Sequence, residues 1–431
     1  MKLTIHRGTH EIGGNCVEIA TDSTRIILDV GMPLFDGDRK PFDDKVVRGK
    51  TVDELLSAGI LPNVSGLFSE GLLPNGILLS HAHMDHTGFL PFTRSEIPAY
   101  ATTGTSKMMS AGAIFARQVE IPRERYRKLV PEKPTRIGDL RVTAFSVDHS
   151  VYGSVAFLIE GQGKTVLYSG DLRLHGRKTG MAKTLLAALK DKPVDLLLIE
   201  GTLLGGGRSV GVNEYDLEKE IARKVGSSDG LVLASFSPQH VDRLVCFIRA
   251  AQRTHRTFVA DVYTAYVMYL IQSEVNIPPP TQAEGIRIFY PQHFMSRHES
   301  KRKIHDLFLA DRITLDEILT EPASHIMLFR TSMLDSDFGG KMPEKTLCLF
   351  SRWEGYLEQS EWKQTREKLE VAGGELALMH TSGHAFVDDL KAFVGKVNPT
   401  KTVPMHTFEP EALRDHFSNV ATFRDGETFE V

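Results

Sequence analysis

The sequence predicts an α/β protein of two textures, and three observations carry that prediction. Short apolar runs separated by Gly, Asp or Pro fill the first two hundred residues; from about Gly205 the pattern changes to strand and helix in alternation; and the tail returns to strands. The 431 residues suit two domains, or one with a large insertion, and can bury ample core.

The early runs are KLTIH, CVEIA, RIILDV, GILLS, RVTAFSV, SVAFLIE, KTVLYSG and DLLLIE, which make the first domain sheet-dominated. Thr51 and Glu54 have capping-box spacing ahead of Leu55 and Leu56, so a helix starts there. GQGKT at 161–165 resembles half a phosphate-binding loop, but Leu158 occupies the position where the loop needs its first glycine, and the segment reads as a hairpin turn. The run Gly205, Gly206, Gly207 lies where the textures meet and reads as a flexible junction. Beyond it, NEYDLEKEIARKV sets Leu217, Ile221 and Val225 on one helical face. GLVLASF is a strand, and Ser237-Pro238 opens a helix bearing Val241, Leu244, Val245 and Ile248. TFVAD, a helix near AYVMYLIQ, IRIFY, HIMLF and TLCLF continue the alternation, which implies a mostly parallel sheet with helices on its faces. NIPPPTQ is a loop. ELALMH and KTVPMH close the chain's strands, each ending on a histidine, His380 and His406.

Hydrophobic residues make up 41% and charged residues 25%, as in an ordinary soluble protein, and no apolar stretch approaches a membrane span. The N-terminus lacks a secretory pattern, so the expected location is cytoplasmic, with no membrane partner. Cys16, Cys246 and Cys348 lie too far apart for a disulfide framework or a metal knuckle and read as buried thiols. A formal net charge of -4 provides no global field for nucleic acid, so any polyanion must be held in a local cleft. The basic clusters Arg123, Arg125, Arg127, Lys128 and Arg297, Lys301, Arg302, Lys303 read as solvated helix faces.

The chemistry concentrates in SHAHMDH, where His81, His83, Asp85 and His86 follow an apolar strand. Two positions apart in extended chain, His81 and His83 reach the same ion, while the following turn lets Asp85 and His86 face a second. Crowding unligated imidazoles and a carboxylate in a pocket would incur desolvation with nothing to offset it. His149, Asp171 and His406 also end apolar β runs. The count then becomes His81, His83 and His149 for one ion, Asp85, His86 and His406 for the other, and Asp171 as a bridge. Nitrogen and carboxylate ligands without thiolate suit two Zn ions, with Mn as the other choice. Asp29, ending RIILD, either orients a ligand histidine or caps a turn.

HxHxDH followed by Gly88, then His149, then Asp171 in YSGDLR, resembles the metallo-β-lactamase superfamily. Glu200 in LLLIEGT, His384 in HTSGHA and His406 in VPMHT resemble motifs A, B and C of its β-CASP nucleases, to which ribonuclease J belongs. The resemblance implies an αββα sandwich over 1–204 and 376–431, interrupted by a β-CASP domain of parallel β/α type over 205–375. Gly201 stands where motif A usually has serine, and Thr407-Phe408 follow His406 where ribonuclease J has Gly-Glu. The chain also ends soon after His406, which leaves no room for a separate C-terminal domain.

The resemblance further implies hydrolysis of single-stranded nucleic acid, RNA favoured over DNA, by water activated between two ions, and it admits a homodimer. Asp85, Glu200 and His384 are the expected catalytic residues. His384 serves as general acid, held protonated and in one tautomer by Glu200, and leaves a 5′-phosphate product. Ser382 and Gly383 precede a helix expected at AFVDDLKAFV, whose terminal amides would bind a substrate phosphate; His380 either joins them or merely ends a strand. The alternatives are a DNA-processing β-CASP nuclease, a hydrolase of small esters or thioesters, and an inactive scaffold subunit.

Overall fold

The computed structural model of the chain describes residues 1–206, 209–295 and 299–431, and the side chains of all of these except 295–301. Gly207 of the junction and Arg297 of the second basic cluster lie outside the described residues, as does the Lys301 side chain. The chain forms two compact units, one of Met1–Gly211 with Gly383–Val431 and one of Val212–Ser382.

The first unit contains two sheets. In the first, strands lie in the order Glu427–Glu430, Lys2–Arg7, Cys16–Ala20, Arg25–Leu28, Gly76–Leu78, Ala99–Thr102, Tyr126–Leu129. In the second the order is Lys401–Met405, Leu196–Glu200, Lys164–Tyr168, Val155–Gly161, Leu140–Ser146, Pro134–Ile137. Alternation decides what each face meets. Val142, Ala144, Phe157, Ile159, Val166, Leu196, Leu198 and Val403 share a core with Leu3, Ile5, Val17, Ile19, Ile26 and Leu28 of the first sheet. The intervening Ala156, Leu158, Leu167, Leu197 and Ile199 meet Leu185 and Leu189 of the helix Gly180–Leu189, and Leu390, Phe393 and Val394 of the helix Val387–Val397. A period-two sequence thus yields a sheet-on-sheet sandwich with helices outside, each buried Leu, Ile, Val or Phe contributing about 1.5–3 kcal/mol.

Lys164–Tyr168, Leu196–Glu200 and Lys401–Met405 run parallel, and Leu140–Ser146 runs the same way through the antiparallel strand between. Their carboxyl ends therefore share one edge of the sheet. GQGKT is the hairpin turn of this sheet, with Gln162 at φ 50° and Gly163 at φ 71°.

The second unit carries an all-parallel sheet in the order Arg312–Ile313, Ile286–Phe289, Thr257–Asp261, His325–Leu328, Val232–Ser235, Leu347–Phe350, Glu375–Leu378. The helix Glu214–Gly226 buries Leu217, Ile221 and Val225 as the spacing predicts, with Asn213 capping it. The capping box at Thr51 and Glu54 is also present.

Three local expectations are corrected. The helix after Ser237-Pro238 starts at Val241 and buries Leu244, Phe247 and Ile248, leaving Val245 half-buried, because Ser237 first accepts a turn bond from His240 N at 2.9 Å. The basic segment at 123–128 is no helix face: Arg127 and Lys128 lie exposed on the strand Tyr126–Leu129, and Arg125 is buried, donating to Ile97 O and Thr93 Oγ1. The helix expected from Ala385 in AFVDDLKAFV starts at Val387, with Phe386 in the cap position. All three cysteines are buried, and among the described residues no helix is long and apolar enough to cross a membrane.

Candidate metal centre

The strand Gly76–Leu78 stops short, and His83 becomes the cap residue of a single helical turn, Met84–Thr87, that carries Asp85 and His86. Backbone bonds stitch this turn to the chain after Leu28: Val30 N donates to His86 O at 2.9 Å and Met32 N to Met84 O at 3.0 Å. Gly31 makes that approach feasible, since a Cβ there would stand 1.7 Å from the Asp85 carbonyl oxygen. His149, Asp171, Glu200 and His406 come from the carboxyl ends of the second sheet, and His384 from the loop before the helix Val387–Val397. Asp29 and His406, on the two sheets, hold φ of 58° and 55°, a conformation non-glycine residues adopt only where the surroundings enforce it.

These side chains converge. Nε2 of His81 and Nε2 of His149 each lie 3.2 Å from Nδ1 of His83. Ligand atoms of His81, His83 and His149 form one group within 4.8 Å, and those of Asp85, His86, Asp171 and His406 another. Asp171 Oδ2 sits at the middle: His86 Nε2 is at 3.2 Å, His81 and His149 Nε2 at 3.7 Å, and His406 Nε2 and His384 Nδ1 at 3.8 Å. Neither oxygen of Asp171 has a hydrogen-bond partner among the described residues.

Four carboxylates, Asp29, Asp85, Asp171 and Glu200, are buried here, and among the described residues their ion-pair partners are histidines alone. That donor set suits divalent metal ions. A tetrahedral Zn with nitrogens at about 2.0–2.1 Å would space them roughly 3.3 Å apart, close to the separations found. Burial, with the His86 charge next, holds His81 well below the ordinary histidine range; burial also lowers His149 and brings His83 to about 4. All three are thus neutral, the ligand form, at neutral pH. Burial would lower His86 as well, but Asp171, Asp29 and Asp85 raise it well above its usual value. Burial opposes ionisation of Asp85 and Asp171, and the histidines around them overcome it, holding both below the carboxylate range.

An outer ring fixes the imidazoles. Asp29 Oδ2 accepts from His86 Nδ1 at 2.8 Å and from the Tyr168 hydroxyl at 2.7 Å. Ser80 Oγ donates to Asp29 at 2.7 Å and lies 3.0 Å from His81 Nδ1. His149 Nδ1 donates to the Gly383 carbonyl at 2.6 Å. Thr202 Oγ1 lies 2.8 Å from His406 Nδ1 and 3.0 Å from His384 Nδ1. Glu200 accepts from Thr202 N and Ala385 N and stands 3.6 Å from His384 Nδ1. Burial works against a charged His384, but Glu200, then Asp171 and Asp85, raise it to about 9. Sequence reasoning missed Ser80, Tyr168 and Thr202; only their closeness to His81, Asp171 and Glu200 in the chain hinted at them.

His380 and Ser382 belong to the second unit and Gly383 to the first. Asp388 and Asp389 occupy the first turn of the helix Val387–Val397, where their charge complements its amide terminus.

Residues 72–215 match the beta-lactamase superfamily domain, and residues 374–424 match the Zn-dependent metallo-hydrolase RNA specificity domain. An RNase J-like protein of Methanocaldococcus jannaschii is 24% identical over 61% of this chain and 58% of its own length. The chain is thus similar to ribonuclease J-like proteins and carries matches to the metallo-β-lactamase superfamily domain. A second protein of that organism, Probable RNase MJ4, is 23% identical over 96% of this chain and 94% of its own. The chain therefore spans a little over half of one relative and nearly all of the other. Its fold is also that of a solved protein of unknown function from Enterococcus faecalis V583, at 22% identity and a TM-score of 0.80 over 99% of both chains.

Proposed function

We propose that the chain is a metal-dependent phosphodiesterase cleaving single-stranded nucleic acid, RNA in preference to DNA, with 5′-phosphate products. The observation that carries the reading is Asp171 Oδ2, ringed by five imidazole nitrogens within 3.8 Å, with the His384–Glu200 pair beside it. His81, His83 and His149 would hold one ion, Asp85, His86 and His406 a second, and Asp171 would join them; the donors favour Zn, with Mn second. Such ions, when bound, supply an acidified water and positive charge for the attacked phosphate.

The chain's own residues do the rest. Asp29, Ser80, Thr202 and the Gly383 carbonyl hold the imidazoles in their tautomers, so the ligand nitrogens are aimed before substrate arrives. Glu200 keeps the His384 ring charged at neutral pH, and Nδ1 faces Glu200 and Thr202. His384 Nε2 is then the atom that gives its proton to the departing 3′ oxygen. His380, Ser382 and Gly383 remain the proposed substrate-phosphate contacts. The names of the relatives, RNase J-like protein and Probable RNase MJ4, support RNA as the substrate.

The test is hydrolysis of end-labelled single-stranded RNA and DNA, carrying 5′-phosphate or 5′-hydroxyl, by protein loaded with Zn or Mn. Metal-dependent breakdown of RNA, faster than of DNA, into 5′-phosphorylated products is expected. Intact RNA with either metal contradicts the proposal.

A further inference from the structure

The carboxyl edge of the second unit's parallel sheet holds two arginines and one carboxylate. Arg330 follows the strand His325–Leu328, Arg352 follows Leu347–Phe350, and Asp261 ends Thr257–Asp261. Arg330 sets Nε and Nη2 at 2.9 and 2.8 Å from Asp261 Oδ2. The other oxygen of Asp261 accepts from Thr264 N at 2.8 Å and Thr264 Oγ1 at 2.6 Å, so this fully buried carboxylate is spent.

Arg352 has no such partner. Among the described residues no carboxylate lies within ion-pairing reach of it, and its one hydrogen bond runs from Nη2 to the Phe236 carbonyl at 3.3 Å. Its Nε is sealed from solvent without an acceptor, although the residue as a whole is only half-buried and can be reached from outside. Burial, and next the Arg330 guanidinium, lower Arg352 to about 10, so the two like charges feel each other. The Tyr263 ring lies 5.3 Å beneath Arg330, and its hydroxyl accepts from Gln239 Nε2 at 2.8 Å. The buried Ser235 hydroxyl, ending Val232–Ser235, also lacks a hydrogen-bond partner among the described residues.

The position in the sheet is the one where open parallel sheets take ligands. Val232–Ser235 leads to one side of the sheet, toward Thr257–Asp261, and its neighbour Leu347–Phe350 leads to the other, toward Glu375–Leu378. The adjacent strands Thr257–Asp261 and His325–Leu328 diverge in the same way. Diverging connections open a crevice at the carboxyl ends, and the arginines sit at both crevices. A guanidinium whose buried Nε has no acceptor and which has no carboxylate beside it is costly, and its planar fork matches a tetrahedral oxyanion with several acceptor oxygens.

We propose that Arg352 and Arg330 form a phosphate-binding site at this edge of the second unit. The phosphate belongs either to a nucleic-acid strand or to a free phosphorylated compound, and one experiment distinguishes them. In metal-free protein held in chelator, inorganic phosphate is titrated calorimetrically into wild type, Arg352→Gln and Arg352→Lys. Binding should weaken at least tenfold in Arg352→Gln and recover in part in Arg352→Lys. Equal affinity in wild type and Arg352→Gln, or no saturable binding to wild type at millimolar phosphate, overturns the proposal. Should the variants fail to fold, phenylglyoxal labelling of the wild type, located by peptide mass spectrometry, replaces them. Phosphate must slow labelling of Arg352, and an unchanged rate overturns the proposal. In the second arm, labelled RNA is bound in chelator. A parallel loss of RNA affinity, with the salt slope reduced by about 0.7, assigns the phosphate to nucleic acid, whereas loss of inorganic phosphate alone assigns it to a free compound. No hydrolysis occurs in chelator, so the result stands apart from whether the first unit is a nuclease.

Discussion

Asp29 accepts a hydrogen bond from His86 across 2.8 Å, Nδ1 to Oδ2, and that contact turns Nε2 of His86 toward Asp171 at 3.2 Å. Asp29→Asn preserves size and tolerates the positive φ but removes the charge. Metal affinity should fall about 10–100-fold, measured by competition with a chelating dye, with the circular dichroism spectrum unchanged. Wild-type affinity would reduce Asp29 to a residue that merely closes a turn.

His384 touches Asp171 at 3.8 Å and Glu200 at 3.6 Å, yet the other histidines around Asp171 can hold ions without it. His384→Ala is expected to lower turnover on RNA by about 10² to 10⁴-fold while metal content stays the same. Elemental analysis of the purified variant decides the point: a metal-depleted His384→Ala protein would show that His384 is a ligand.

Thr202 couples two rings through one oxygen, at 3.0 Å from His384 Nδ1 and 2.8 Å from His406 Nδ1. A hydroxyl oxygen has two lone pairs and can accept from both Nδ1–H groups, fixing both tautomers. Thr202→Val keeps the shape and removes the acceptor, which should lower kcat about 10-fold or more, since bonds to charged groups contribute about 1.5–3 kcal/mol. Thr202→Ser should restore it. If serine rescues no better than valine, the methyl packing matters and the hydroxyl does not.

His380 offers a test within the second unit. Burial, followed by the charges of Arg243 and His240, pushes it down to about 3, against about 6.5 in an unfolded chain. Between those values the unfolded state binds more protons, so stability present above about pH 6.5 is lost as pH falls toward 3. Comparing urea unfolding at pH 7 and pH 5, wild type should lose roughly 1 kcal/mol more than His380→Gln, after discounting for partial exposure. Parallel pH profiles for the two proteins would remove this role.

The site was legible where ligand types crowd a strand end. His81, His83, Asp85 and His86 fall within six residues, and His149, Asp171 and His406 each close an apolar run that alternation marks as a strand. What escaped reading depends on partners distant in sequence. Thr202 is one of many threonines until His384 and His406 arrive beside it, and Tyr168 reads as a strand aromatic until Asn15 and Asp29 meet its hydroxyl. Arg125 looked solvated because charge spacing says nothing of the carbonyls of Leu90 and Ile97 that enclose it. The helix after HTSGHA starts two residues later than its apolar spacing suggests, because Phe386 takes an extended cap conformation at φ -65° and ψ 153° and Ala385 N donates to Glu200, 185 residues away in the chain.

The central claim is that this cluster holds two divalent ions joined by Asp171. The most direct measurement is elemental analysis of chain purified with ample Zn or Mn, paired with anomalous scattering from crystals. The account predicts two ions per chain, one against His81, His83 and His149 and one against Asp85, His86 and His406, with His83→Ala losing the first. A protein that takes up no metal under those conditions, or carries it away from Asp171, contradicts it.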